Sequence, residues 1–258
     1  MYFCRLMKIL LIPFIIVYRV YFALVFFLVL LILYPIFWIL LLSEKNYVRV
    51  FKLKVFTARI ILFLDFVWLV HKSDKPQLEE GPYVICANHA SYLDIILMYR
   101  ILPRKRFLFI GKSELLKWPI INIFFKKVDI AVNREKRSSG MRSIIRARNE
   151  LQNGWSIVIF PEGGIPVDTP ILAPFKNGAF KLAIDSEVPI LPITILDNWK
   201  LFNVDPLLTG PARPGISRVI IHKPIPTKGM DKKDLINLRQ QTFETINGPL
   251  LNDNSKKQ

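Results

Sequence analysis

Val20 to Leu42 is a run of 23 residues without a charge. In hydrocarbon a lone segment can satisfy its backbone N–H and C=O groups only as a helix. At about 1.5 Å rise per residue, such a run reaches across a hydrocarbon core of about 30 Å. Tyr21, Tyr34 and Trp38 suit a membrane helix, and Pro35 predicts a kink. Ile9 to Tyr18 is also apolar but too short to span alone; with Arg19 it leads into the long run. A signal peptide is shorter and ends in a small-residue cleavage site, and none is evident, so the segment is expected to be retained. The competing reading is a buried helix of a soluble protein.

Charge narrows the partners. The chain carries a formal +16 while 52% of it is hydrophobic. A basic, apolar protein points to an anionic membrane surface, an anionic substrate or both. Nucleic acid is excluded as the partner, because the apolar excess sits in membrane-length runs. Arg5, Lys8 and Arg19 precede the long run; Lys45, Arg49, Lys52, Lys54 and Arg59 follow it. The larger following cluster places the catalytic part on the cytoplasmic side. A re-entrant hairpin, with both clusters inside, stays open beside a single span. Cys4 and Cys86 make neither a disulfide framework nor a Cys-rich zinc site, and they fit a reducing compartment.

Val55 to Val70 is a second apolar stretch, interrupted by Arg59 and Asp65, and reads as an interfacial or domain-packed helix. His71 to Gly81 is polar and reads as a linker. The expected organisation is therefore a membrane-associated segment over 1–70 with a span at 20–42, a catalytic domain over 71–248 and a polar tail over 249–258.

Two polar turns stand out in the domain. Asn88-His89-Ala90-Ser91-Tyr92-Leu93-Asp94 follows the apolar run Tyr83 to Ala87 and precedes another, Leu93 to Tyr99. Pro161-Glu162-Gly163-Gly164 follows Ser156 to Phe160. Each reads as a strand running into a tight turn, and two such turns at strand ends can build one site. Histidine titrates near neutral pH and is oriented by a nearby carboxylate, which makes His89 and Asp94 a candidate pair. The bland reading of Asp94 is a capping box with Ser91. Cys86 reads as a small buried hydrophobe, with a Cys86–His89 nucleophilic pair as the alternative.

The first turn resembles the His-x4-Asp motif of the glycerolipid acyltransferases, in its Asn-His-x-Ser-x-x-Asp form. Other blocks follow in that family's order. Lys112-Ser113-Glu114-Leu115 is similar to its Lys-x-Glu-Leu element, and Val132-Asn133-Arg134 to its arginine block. Phe160-Pro161-Glu162-Gly163 is similar to its Phe-Pro-Glu-Gly block. Phe175 to Phe180 and Val188 to Ile193 resemble the later ones. The resemblance runs from about residue 80 to 225 and is nearest to the 1-acyl-glycerol-3-phosphate acyltransferases.

That resemblance implies an α/β domain like that of glycerol-3-phosphate acyltransferase: a mixed, largely parallel central sheet flanked by helices, preceded by N-terminal membrane helices. It implies acyl transfer from acyl-CoA or acyl-carrier protein to the hydroxyl of a lyso-phospholipid. His89 would be the general base and Asp94 its orienting carboxylate, with Asn88 and Ser91 supporting the motif. Arg134, Lys112, Glu162 and Gly163 would hold the glycerol-phosphate end. Guanidinium suits phosphate because it offers fixed, bidentate donors; from charge alone Arg134 reads as a solvated residue. No metal and no cofactor is expected beyond the acyl donor as co-substrate. The chain departs from the family after Glu162-Gly163, where Gly164 and Ile165 stand in place of threonine and a frequent cation. That leaves open another lyso-lipid acceptor, such as one with an amino-acid headgroup. A non-catalytic membrane protein keeping the fold is the reading of another class.

The remaining elements follow from punctuation and period. Phe107 to Ile110, Asp129 to Asn133, Trp155 to Phe160 and Arg218 to His222 read as strands. Gly140 to Asn153 and Asp231 to Ile246 read as helices, the first with a basic face of Arg142, Arg146 and Arg148. Leu115 to Phe125 reads as a mainly apolar helix, broken or started at Pro119. Val188 to Ile195 reads as a strand whose Pro189 and Pro192 predict an irregular or edge position. Lys176 and Lys181 flank Gly178 and add positive potential or face solvent. His222 reads as structural. There is no internal repeat, P-loop, dinucleotide fingerprint or metal-ligand cluster.

Overall fold

The computed structural model describes residues 2–72, 76–133, 136–203 and 210–255. The apolar N-terminal runs form one helix, α1 (Tyr2–Leu40), continuous through Pro13 and Pro35. Residues Leu11–Leu40 are long and apolar enough to cross a membrane, by length and composition. One stripe of α1 is nevertheless buried against protein: Phe22, Val29, Leu30 and Phe37. Their seven- to eight-residue spacing is that of a single helix face. The opposite face exposes Leu24, Leu28, Leu31, Ile32, Trp38 and Ile39.

The chain turns at Ser43 and returns as α2 (Tyr47–Leu64). The Tyr21 hydroxyl donates to Leu64 O at 2.7 Å, and Tyr18 donates to Asp65 O at 2.8 Å, closing the hairpin. The expected apolar stretch Val55 to Val70 divides at this point. Phe66 takes a positive φ of 52°, and β1 (Val67–His71) then joins the sheet. A buried ion pair fastens α2 to the domain: Lys54 Nζ lies 2.6 Å from Asp129 Oδ2 and 4.7 Å from the Phe124 ring centre.

The domain follows as β2 (Val84–Ala87), α3 (Leu93–Ile101), β3 (Phe107–Lys112), α4 (Asn122–Lys127), β4 (Ile130–Val132), α5 (Arg137–Gln152), β5 (Ser156–Ile159), α6 (Gly178–Ser186), β6 (Ile190–Ile195), α7 (Asn198–Leu201), β7 (Gly215–Ile221) and α8 (Leu235–Ser255). The seven strands lie in the order β1-β7-β6-β2-β5-β3-β4. All neighbours pair in parallel except β6 and β7. The expected mixed, largely parallel α/β sheet is what forms. β2 and β6 are buried along their whole length, as strands covered on both faces must be. Because β1 and β7 run opposite to β2, β5 and β6, their first residues lie at the end of the sheet where β2, β5 and β6 finish.

Two expectations are corrected and one is met. β6 is interior, between β7 and β2, despite its proline. Pro192 lies just ahead of the first pair with β7, Ile193↔Ile221, and its carbonyl still accepts the His222 N–H at 3.0 Å. The break expected at Pro119 within Leu115 to Phe125 is present: a 3-10 turn, Ser113–Lys117, gives way to α4 only at Asn122. Pro119 lacks an N–H, and Ile120 sits at φ 67°, outside helical space. The basic face of α5 is only partly free: Arg146 donates to the carbonyls of Val128 at 2.8 Å and Asp129 at 3.2 Å, pinning the α4–β4 turn. The closing helix α8 extends to Ser255 through Pro249, and Asp253 pairs with Arg218 of β7 at 2.9 Å.

Candidate active site

β2 ends at Ala87, and the next seven residues form a turn tied down at nearly every polar atom. The Asn88 amide bridges to β6: its Nδ2 donates to Ile195 O at 2.9 Å, and its Oδ1 accepts from Ile195 N at 2.7 Å. That replaces a pair of ladder bonds with a side chain and fixes where the turn begins. The Ser91 hydroxyl donates to Phe202 O and accepts from Leu93 N at 3.0 Å.

His89 and Asp94 meet inside this turn. His89 Nδ1 lies 2.9 Å from Asp94 Oδ2. The same oxygen accepts the N–H groups of Ala90 at 2.7 Å and Ser91 at 2.9 Å. Asp94 therefore caps the local backbone and holds the imidazole at once, and its two expected roles do not compete. Asp94 is fully buried, and its carboxyl is surrounded by hydrogen-bond donors. With Nδ1 facing a carboxylate, the neutral ring carries its proton there and offers a lone pair at Nε2. Nε2 makes no hydrogen bond among the described residues. The ring lies flat on Phe160, with centroids 4.1 Å apart and planes 16° apart; Phe160 in turn stacks on Phe109 at 6.3 Å.

The second turn closes on the first. The His89 N–H donates to Glu162 Oε1 at 2.7 Å, and the Ala173 N–H donates to Glu162 Oε2 at 2.9 Å. Glu162 is buried, and desolvation pushes its carboxyl up to about 7, with Asp94 adding to the rise and the two N–H donors opposing it. Gly163 has φ +83°, and a Cβ there would lie 2.6 Å from Lys176 Nζ. The positive φ is what calls for glycine; the Lys176 ammonium lying over it could swing aside. The Lys176 N–H also donates to Pro161 O at 2.8 Å, so the two segments run together.

The other expected residues are placed less tightly. Lys112 ends β3, is exposed, and pairs in register with Val132 of β4. Arg134 lies outside the described residues. Cys86 is fully buried in β2, where desolvation drives its thiol far above the ordinary range, unfit to act as a nucleophile. His222 bonds Thr194 Oγ1 at 2.8 Å, and burial lowers it to about 4, in keeping with a structural place.

Asn198 carried no signal in the sequence. Its Nδ2 donates to Asp94 Oδ1 at 2.6 Å, and its Oδ1 accepts the Ser217 hydroxyl at 2.6 Å. Both residues are fully buried. They lie more than 100 residues beyond Asp94, and an Asn in a loop and a Ser in a strand are unremarkable until β6 and β7 are folded beside β2.

The chain is similar to proteins already known. An Acyltransferase family model matches residues 69–196, from β1 to just past β6. A 1-acyl-sn-glycerol-3-phosphate acyltransferase of Chlamydomonas reinhardtii is 32% identical over 148 residues, 57% of this chain and 43% of that protein. A protein of the same name from Saccharomyces cerevisiae is 30% identical over 188 residues, covering 68% of this chain and 60% of that protein. The human beta form is 31% identical over 165 residues, covering 63% and 58%. The chain thus spans about half the length of the curated relatives it matches. The crystal structure of the 1-acyl-sn-glycerophosphate acyltransferase PlsC from Thermotoga maritima shares the fold, with a TM-score of 0.69 over 91% of this chain and 97% of that one, at 21% identity. With the matched region containing both turns and the strands that carry them, residues 69–196 form a domain of the Acyltransferase family.

Proposed function

We propose that this protein transfers a fatty acyl group from a thioester donor, acyl-CoA or acyl-carrier protein, to the sn-2 hydroxyl of 1-acyl-glycerol-3-phosphate, giving phosphatidic acid. The observation that carries the reading is the His89–Asp94 pair, with Nδ1 at 2.9 Å from the carboxylate and Nε2 open. An alcohol is a poor nucleophile until its proton is accepted. His89 takes that proton at Nε2 as the hydroxyl attacks the thioester carbonyl, and Asp94 stabilises the imidazolium that forms. The tetrahedral intermediate then expels the thiolate, which can recover the proton from His89. No protein nucleophile is needed. Ser91 is an unsuitable one, since its hydroxyl is committed to Phe202 O.

In this reading Glu162 braces rather than binds. Both its oxygens accept backbone N–H groups, so it holds the two turns together. Lys112, Gly163 and Arg134 serve the acceptor phosphate. The Lys112↔Val132 register makes β3 and β4 finish at the same sheet end. The exposed apolar face of α1 holds the enzyme at the membrane, with its catalytic part on the cytoplasmic side, where lipid acceptor and soluble donor meet.

A second reading keeps the chemistry and changes the acceptor to another lyso-lipid. Gly164 and Ile165 favour it, because they remove a hydroxyl and a cation beside the site. Purified protein given labelled acyl donor and a panel of lyso-acceptors separates the two. Turnover is expected on lysophosphatidate and absent in His89→Ala. Turnover on a phosphate-free acceptor alone would move the assignment to the second reading. No turnover on any acceptor would sink both.

A further inference from the structure

We propose that Asn198, held by Ser217, is a positioning residue of the acyl-transfer site, extending the His89–Asp94 pair to a buried four-residue chain. The inference rests on the acyltransferase reading above and adds a component to it.

The argument begins with donors and acceptors. A carboxylate is acceptor-only, so the atom of Asn198 that lies 2.6 Å from Asp94 Oδ1 must be its NH2. The amide oxygen then faces Ser217, whose hydroxyl donates at 2.6 Å. The row runs in one direction: Ser217 O–H to Asn198 O, Asn198 N–H to Asp94, and Asp94 receiving the Nδ1 proton of His89. Each member polarises the next.

Division of labour on Asp94 makes Asn198 distinctive. Oδ2 takes three donors, from His89, Ala90 and Ser91. Among the described residues Oδ1 has one, and it is Asn198. Removing it leaves an unpaired oxygen on a fully buried anion. The carboxylate is then anchored at Oδ2 alone. Ala90 and Ser91 still hold that oxygen, but a group fixed at one atom in place of two keeps its angle to the imidazole less firmly.

The flanking residues show that the fold has a separate clamp. Asp197, next to Asn198, takes Arg218, next to Ser217, through Nε at 2.7 Å and Nη2 at 2.7 Å. That bidentate pair already ties the bend after β6 to β7. The Asn198–Ser217 bond is therefore not required to join the two elements, and its inward direction toward Asp94 is what remains to be explained.

The experiment uses the full chain. Asn198→Leu removes the donor at similar size; Asn198→Asp keeps the shape and sets a carboxylate against Asp94. Ser217→Ala keeps the amide and loses its anchor. Each is checked by melting temperature, then by steady-state kinetics with lysophosphatidate and an acyl-CoA. Asn198→Leu is expected to lower kcat about 10- to 100-fold, the worth of one charge-assisted bond, with each KM within about twofold of native. Ser217→Ala should cost about three- to tenfold in kcat, the scale of a neutral bond. In an Asp94→Asn background, Asn198→Leu should cost less than about threefold, because the carboxylate it serves is gone. A folded Asn198→Leu enzyme with kcat within about twofold of native overturns the inference, and so does full additivity with Asp94→Asn. If Asn198→Leu does not fold, Asn198→Asp decides. A loss of about 100-fold or more at native melting temperature supports the role, and near-native kcat refutes it. Acyl transfer by native protein but not His89→Ala keeps the acyltransferase reading intact whichever way Asn198 falls. Absence of acyl transfer in native protein removes both.

Discussion

Asp94→Asn tests the electrostatics of the site with little change of shape. The carboxylate accepts four hydrogen bonds, three on Oδ2 and one on Oδ1. An amide put in its place keeps an oxygen toward His89, Ala90 and Ser91 and presents NH2 to Asn198. Donor would face donor there at 2.6 Å. Asn198 can answer by turning its amide over, since the Ser217 hydroxyl is able to accept as well as donate. The variant is thus expected to fold, with His89 in the same tautomer. What it loses is a negative charge near the imidazolium that forms in the transition state. Two unit charges about 4 Å apart at an effective dielectric of about 20 attract by about 4 kcal/mol. At about 1.4 kcal/mol per decade, that is on the order of 1,000-fold in kcat. The assay is steady-state release of free thiol from an acyl-CoA with saturating lyso-acceptor, beside a melting curve. Loss of activity with KM little changed is the expected result. A folded Asp94→Asn enzyme within about tenfold of native would refute the assignment of Asp94 as the charge that supports the base.

Glu162→Gln should flatten a pH dependence of stability. The carboxyl lies near 7 in the fold against 4.5 ordinarily, so the folded state holds the extra proton between those values. Its stabilising contribution is present below about 4.5 and lost as pH rises to about 7, up to about 3 kcal/mol; native melting points should therefore fall relative to those of Glu162→Gln across that window, and parallel curves would count against it. Lys54→Met leaves Asp129 buried and unpaired and should cost about 3–5 kcal/mol in denaturant unfolding, much of it recovered in Lys54→Met with Asp129→Leu. A single variant as stable as native would show that the pair does not fasten α2. Arg134→Ala should lower kcat/KM for lysophosphatidate about 10- to 1,000-fold, and far less for a phosphate-free lyso-lipid; equal losses would remove its phosphate role.

Much of the domain is legible in the chain because its signals are local. Tyr83 to Ala87 and Ser156 to Phe160 are short apolar runs ending in polar turns, and both become central strands carrying the site. His89 and Asp94 are five apart, so one turn can bring them together. What is not legible depends on partners distant in sequence. Asn198 and Ser217 acquire their place only when β6 and β7 lie beside β2. Pro192 suggests an edge, yet its register lets β6 run through the middle. In α1 the apolar face that meets protein and the one that does not are built from the same residue types. Contacts such as Phe22 against Phe202, at 4.4 Å, and Phe37 against Phe124, at 4.8 Å, tell them apart.

The flat stack of His89 on Phe160 has a stereochemical consequence. One face of the imidazole is covered by a phenyl ring, and the Nδ1 edge is taken by Asp94. The Nε2 lone pair lies in the ring plane, so a hydroxyl giving up its proton must come in along that edge. Phe160 closes the side of the edge on which it lies and leaves the other side for the incoming oxygen. The side from which His89 is met is thus narrowed by a residue that touches no proton. Phe160 stands immediately before the Pro161-Glu162-Gly163 turn, so the segment that braces His89 from behind also limits the approach to it.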